Sequence, residues 1–256
     1  MRTLLAVLSV LAVLPGPAYA QPEKPTIALV HGAFADSSSW SGVIGILEKD
    51  GYPIVAIANP LRGVASDGRY VADVVASIGS PVVLVGHSYG GSVISEAAAG
   101  RQNVRALVYV AAFAPAEGET AAGLASKFPG STLGPTLASP VLLSDGGKDL
   151  YIRQDRFHDQ FAADVPEAAA RLMAATQRPV TEAALGEVQA EAAWKAIPSW
   201  FVYGDRDKNI PPAASAFMAA RAHARETLVV RGASHVVMIS NPEAVARIIE
   251  RAAAAN

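Results

Sequence analysis

Four short runs of almost unbroken apolar residues punctuate the first half of the chain: TIALV (Thr26 to Val30), IVAIA (Ile54 to Ala58), PVVLV (Pro81 to Val85) and RALVYV (Arg105 to Val110). A strand with one face in water alternates apolar and polar side chains, whereas a strand covered on both faces does not. These runs do not alternate, so they predict a parallel sheet buried between two layers of helices. The intervening segments carry helical patterning, over Trp40 to Asp50 with Ser39 as N-cap, Arg69 to Ile78 opened by Asp67, and Gly91 to Ala99. Strand, helix, strand in repetition implies right-handed crossovers and a doubly wound α/β architecture. The rhythm returns near the end with strands at Trp200 to Tyr203 and Thr227 to Val230 and a helix at Pro212 to Ala224. A last helix opens with Asn241 as cap and Pro242 at its first position, running to about Ala254.

Between residues 114 and 193 the rhythm stops. Val141-Leu142-Leu143 is a weak strand candidate, Asp164 with Pro166 and Glu167 starts a helix that Pro179 ends, and Thr181 caps the next. This reads as a helical insertion over one end of the sheet, either a lid or an excursion that completes the core. Residues 21–256 therefore form a single domain. The segment before it has the pattern of a signal peptide over residues 1–20: Arg2, an apolar stretch from Leu4 to Leu14, a break at Pro15-Gly16-Pro17, and small residues at Ala18 and Ala20. The stretch is too short to span a bilayer comfortably. The expectation is a secreted or periplasmic protein with no stable membrane insertion after cleavage.

Composition narrows the classes further. With 51% hydrophobic and 17% charged residues the chain can bury a core. A net charge of -2, from 21 basic and 23 acidic residues, offers no field for a nucleic-acid backbone. The absence of cysteine excludes disulfide scaffolds, thiolate metal sites and cysteine nucleophiles.

The chemistry concentrates at Gly86-His87-Ser88-Tyr89-Gly90-Gly91, between a buried strand and a helix. A Gly-x-Ser-x-Gly turn there forces the serine into a tight bend with its hydroxyl exposed above the sheet, marking Ser88 as a nucleophile. Strand C-termini of a parallel sheet collect at one edge. Of the five histidines, His235 follows the last strand and arrives beside Ser88 as base, while the bend points His87 away. Tyr203-Gly204-Asp205-Arg206-Asp207 supplies two carboxylates after another strand; Asp207, placed to cap the turn into the next helix, is preferred as the acid, and Asp205 pairs with Arg206 or solvent. The loop His31-Gly32-Ala33-Phe34 after the first strand aims a main-chain N–H upward, so Ala33 and Tyr89 are the expected oxyanion donors. Phe34, Tyr89, Phe157, Phe161, Leu172 and Met173 can wall an apolar pocket, although the last four equally suit the core of the insertion. Asp145, Asp149, Asp155, His158 and Asp159, interleaved with Arg153 and Arg156, read as a salt-bridged face, and no metal or cofactor is expected.

LVHGAFADSSSW, VVLVGHSYGG, ALVYVAAFAP, FVYGDRDKNIPP and ASHVVMISNPE together resemble α/β-hydrolase-fold esterases, in a group with plant methyl-ester esterases, hydroxynitrile lyases and small bacterial carboxylesterases. FAADVPEAAARLMAATQRPV is similar to the insertion of the bacterial members. The resemblance implies Ser88, Asp207 and His235 as a triad, with Ala33 and Tyr89 lining an oxyanion hole. The lyases of this group carry Thr where Gly32 stands and Lys where Val236 stands, so ester hydrolysis is favoured. The expectation is an exported, cofactor-free hydrolase that cleaves a small-molecule carboxylic ester through an acyl-enzyme. The alternatives are a perhydrolase or cyanohydrin lyase on the same residues, or a non-catalytic binding protein of the same fold. No oligomeric state follows from the sequence.

Overall fold

The computed structural model describes residues 24–255, so the expected signal segment lies outside the described residues. The strands β1 (Thr26–Val30), β2 (Ile54–Ile57), β3 (Val82–His87), β4 (Val104–Val110), β8 (Ser199–Gly204) and β9 (Glu226–Val230) form a six-stranded sheet in the order β2-β1-β3-β4-β8-β9. Every pairing in it is parallel. The central strands are buried almost throughout because helices cover both faces, as their unbroken apolar runs require. Helix α1 (Ser41–Lys49) packs on α10 (Pro242–Ala254), and α2 (Val64–Ala76) packs on α3 (Gly90–Ala97). Helix α8 (Pro212–Arg221) lies against β8, and the short α9 (Val237–Ser240) leads into α10. The edge strand β9 instead alternates half-buried and exposed residues.

The helix starts differ from expectation in instructive ways. Ser39 does not cap α1. A single 3-10 turn, Ser37–Trp40, precedes that helix, and Asp36 caps it by accepting the Ser38 N–H at 2.7 Å. Asp67 does not open α2 either, because the helix begins three residues earlier and Glu187 caps it, accepting the N–H groups of Val64 at 2.6 Å and Ala65 at 3.2 Å. Asn241 stands at the start of α10 but makes no capping bond, its amide donating to Ser240 Oγ at 2.9 Å.

Between β4 and β8 the chain builds α4 (Ala121–Lys127), α5 (Gln154–Phe161), α6 (Glu167–Thr176) and α7 (Glu182–Gly186). It also builds a small antiparallel sheet of β5 (Val141–Leu142), β6 (Lys148–Leu150) and β7 (Val180–Thr181), where the sequence pointed only to the first. Strands of two or three residues are too short to carry a period. Thr181 caps α7 as expected, accepting the Ala184 N–H at 3.1 Å. Asp164 is not a cap for α6; it accepts the Ser234 hydroxyl instead. Among the described residues no helix is long and apolar enough to cross a membrane.

Gly204, at the end of β8, is where backbone meets backbone. A Cβ there would lie 2.1 Å from the Ala233 carbonyl oxygen, so only glycine lets the loops after β8 and β9 approach. Gly204→Ala is expected to lower stability by about 1–3 kcal/mol through overpacking. Urea unfolding of the variant checks this, and an unchanged midpoint contradicts it.

Candidate active site

Ser88 occupies the tight turn between β3 and α3. Its φ of 53° lies in the left-handed region, a costly conformation for a residue with a side chain. The turn persists because its backbone is over-determined: Ser88 N–H donates to Val110 O at 3.3 Å, and Ser88 O accepts from Gly91 at 3.0 Å and Phe113 at 3.1 Å. At Gly86, a Cβ would approach the Gly90 carbonyl oxygen to 2.6 Å, so the strand and the helix start touch through bare backbone.

Two further loops deliver their side chains to this turn. Ser88 Oγ lies 2.9 Å from His235 Nε2, and His235 Nδ1 lies 2.7 Å from Asp207 Oδ2. A carboxylate only accepts, so Nδ1 carries the imidazole proton and the bare Nε2 accepts the Ser88 hydroxyl. The other Asp207 oxygen accepts the N–H groups of Asn209 at 2.8 Å and Ile210 at 3.0 Å, which fixes the carboxylate against its own loop. Asp205 does not reach the imidazole. It stays exposed to solvent, as expected, forms no ion pair with Arg206, and accepts the Gly232 N–H at 2.7 Å. His87 points away from Ser88, and its Nε2 donates to the His235 carbonyl at 3.2 Å. His31 accepts the Asn59 N–H at Nε2 and donates from Nδ1 to the Gly32 carbonyl, both at 3.0 Å.

Ser88 and His235 open onto a cavity of about 520 Å³ that Ala33 and Tyr89 also line. Among the described residues, the Ala33 and Tyr89 N–H groups donate to no protein acceptor. Phe34 and Phe161 form part of the wall, their rings edge-on at 6.1 Å between centroids. Phe157 does not: it is fully buried behind Phe161, which separates it from the cavity, and belongs to the insertion's core. Leu172 is 70% exposed on α6, and Met173 lines a separate groove on the far side of Phe34. Sequence reasoning missed Phe113, Phe128, Leu133 and Ile210, together with the alanine face of α4. No residue of the wall carries a formal charge. Three acids of the interleaved stretch face cations, Asp149 meeting Arg62 at 2.6 Å, Asp159 meeting Lys208 at 2.7 Å, and Asp155 meeting Arg153 and Arg156 at 3.7 Å, while Asp145 accepts the Gly147 N–H at 2.9 Å.

Residues 27–248 match the model of a family described as the Alpha/beta hydrolase family. The chain belongs to the alpha/beta hydrolase family. A curated member, Alpha/beta hydrolase nvfD of Aspergillus novofumigatus (strain IBT 16806), is 29% identical over 250 residues, covering 90% of this chain and 97% of that one. The crystal structure of polyneuridine aldehyde esterase superposes with a TM-score of 0.76 at 17% identity, over 90% of this chain and 99% of its own. A pyrethroid hydrolase from Sphingobium faniae JZ-2 gives 0.71 at 24% identity, over 90% and 98%. At these identities the structural likeness speaks for the fold. The order Ser88, Asp207, His235 along the chain is the one alpha/beta hydrolases use for nucleophile, acid and base.

Burial lowers the proton affinity of His31, and it lowers that of His87 further, helped by repulsion from His235. Both therefore take up a proton less readily in the fold than in the unfolded chain, where each does so below its ordinary value of 6.5. The unfolded state then binds more protons, so stability falls as pH drops below that value. Each histidine contributes up to about 1.4 kcal/mol per pH unit. Urea midpoints taken between about pH 7 and pH 5 check this. His87→Phe and His31→Gln are each expected to flatten the slope, and a slope equal to that of the parent in both variants contradicts the assignment.

Proposed function

We propose that this alpha/beta hydrolase cleaves uncharged carboxylic esters with Ser88 as nucleophile, His235 as general base and acid, and Asp207 as the residue that fixes the imidazole. Ser88 Oγ attacks the ester carbonyl while its proton passes to His235 Nε2. The N–H groups of Ala33 and Tyr89 stabilise the oxyanion. Collapse of the tetrahedral intermediate releases the alcohol, which takes the proton from His235, and leaves an acyl-Ser88 ester. A water, deprotonated by His235, then releases the acid. Asp207 holds the productive tautomer and stabilises the imidazolium in both halves.

The observation that carries this reading is the unbroken hydrogen-bonded line from Ser88 Oγ through His235 to Asp207, ending at an apolar cavity. Gly32 and Val236 count against a cyanohydrin lyase, since neither offers a hydroxyl or a cation. The uncharged wall supports a neutral substrate with apolar groups on the acyl or alcohol side, because a buried charge without a partner costs several kcal/mol. For the mature protein we read export to the periplasm or exterior, supported by Arg2, the apolar stretch from Leu4 to Leu14, and the small residues Ala18 and Ala20.

Ser88→Ala is expected to abolish turnover of p-nitrophenyl butyrate and labelling by a fluorophosphonate while the circular dichroism spectrum stays unchanged. Full activity in that variant removes the nucleophile, and a parent protein that neither turns over esters nor labels is a binding protein instead. Asp207→Asn is expected to reduce kcat by about 10⁴-fold, and Asp205→Asn far less; the reverse order reassigns the acid. A neutral diester is expected to exceed its monoanionic half-ester in kcat/KM by about 100-fold or more. Equal rates for the pair contradict an uncharged binding cavity.

A further inference from the structure

Tyr89 follows the nucleophile, and its side chain is tied to a residue outside the reading above. The phenol donates to Asp67 Oδ2 at 2.9 Å. Asp67 lies in the first turn of α2 with 0% exposure, and its carboxylate also accepts the Arg62 N–H at 3.1 Å and the Gly63 N–H at 3.4 Å. Every neighbour that reaches it is a donor. The stretch that presents those donors is itself held from the insertion: the Arg62 guanidinium meets Asp149, its carbonyl accepts the Thr181 hydroxyl at 3.0 Å, and Glu187 takes the next two N–H groups. The phenol is thus moored to a node that does not yield.

The peptide that joins Ser88 to Tyr89 explains what this mooring does. Its carbonyl is held by Gly91 and Phe113, and in a trans peptide the N–H points opposite to the carbonyl. Backbone bonds fix one end of the unit, and the Tyr89 phenol fixes the other. Rotation of this peptide turns ψ of Ser88 and φ of Tyr89, leaves the Ser88 φ of 53° unchanged, and redirects the N–H. Such a rotation would swing the Tyr89 N–H out of line. We propose that Asp67 is a positioning residue, which through the Tyr89 hydroxyl holds the Tyr89 N–H in the geometry that binds the oxyanion. The proposal rests on the hydrolase reading given above. Burial raises the Asp67 pKa despite its donors, and an apolar pair would fill the same space without desolvating a carboxylate. A buried acid at this place is better suited to fixing geometry than to adding stability.

The test uses an aryl trifluoromethyl ketone. Ser88 Oγ bonds to its carbonyl carbon, the serine proton passes to His235, and the ketone oxygen becomes an oxyanion in the hole. Tyr89→Phe is expected to lower kcat on p-nitrophenyl butyrate by about 10-fold with KM nearly unchanged, and to weaken the ketone by the same factor. Binding of the matching alkylbenzene, which has no carbonyl and forms no oxyanion, stays level. Asp67→Asn keeps an acceptor oxygen and recovers most of what Asp67→Ala loses, and adding Tyr89→Phe to Asp67→Ala costs nothing further. The proposal is overturned if Tyr89→Phe lowers the melting temperature while kcat and ketone affinity stay at parental values, or if the two losses multiply. Should Asp67→Ala fail to fold, Tyr89→Phe alone decides the matter. Activity that survives in Ser88→Ala sinks the hydrolase reading instead, so the two failures are told apart.

Discussion

The parallel register of β3, β4, β8 and β9 is the constraint on which the site depends. His87 pairs with Val110, Val110 with Val202, and Val202 with Leu228, so four strands reach the same edge of the sheet at nearly the same height. A one-residue slip would turn every side chain of a strand to the opposite face. In strands buried on both faces such a slip would also leave ladder groups unpaired. The loops after β3, β8 and β9 therefore start from fixed points, and each needs only a few residues to bring Ser88, Asp207 and His235 within hydrogen-bonding distance. Bare backbone contact at Gly86 and Gly204 lets those loops close on one another.

The insertion completes this geometry from above. Gln160 of α5 is buried, its amide nitrogen donating to Lys208 O at 3.0 Å and to Asn209 Oδ1 at 2.8 Å while its oxygen accepts the Thr132 hydroxyl at 2.8 Å. Lys208 and Asn209 lie on the loop that carries Asp207. On the other side Asp164 accepts the hydroxyl of Ser234, next to His235. Helix α5 and the turn after it thus bind both loops, which gives this half of the insertion the character of core. Helix α4 makes no such bonds to either loop among the described residues; it contributes small side chains to the cavity wall.

What could be read from the sequence follows the range of the interaction involved. Strand placement was legible because burial on both faces writes itself into consecutive residues, and the Ser88 turn because its glycines are local. The preference for Asp207 over Asp205 was legible for the same reason, since capping of Asn209 and Ile210 depends on two or three residues of spacing. Contacts between distant segments left no such mark. Glu187 caps a helix that starts more than a hundred residues earlier, and Asp67 looks like a cap until Tyr89 is found against it. The pocket wall failed likewise: Phe157 and Phe161 share a helix face, but only Phe161 reaches the cavity, while Phe113 and Phe128 arrive from segments without periodicity.

The depressed proton affinity of His87 bears on the reaction proposed for this site. In that proposal His235 carries a positive charge twice per turnover, and the His87 ring centroid is only 4.8 Å from its own. Two unit charges at that separation repel by about 3–4 kcal/mol at an effective dielectric constant of about 20. That is enough to slow the chemical step by more than about a hundredfold. A surface histidine at position 87 would present that penalty whenever it took up a proton. Burial among Trp40, Phe161 and the sheet removes it, since desolvation keeps the ring uncharged while its remaining N–H still secures the His235 carbonyl. The same absence of water that makes a second cation costly beside His235 makes the Asp207 carboxylate more effective, because its attraction for the imidazolium is screened as little as the repulsion would be. One buried environment thus keeps a second cation away from the imidazole that faces Asp207.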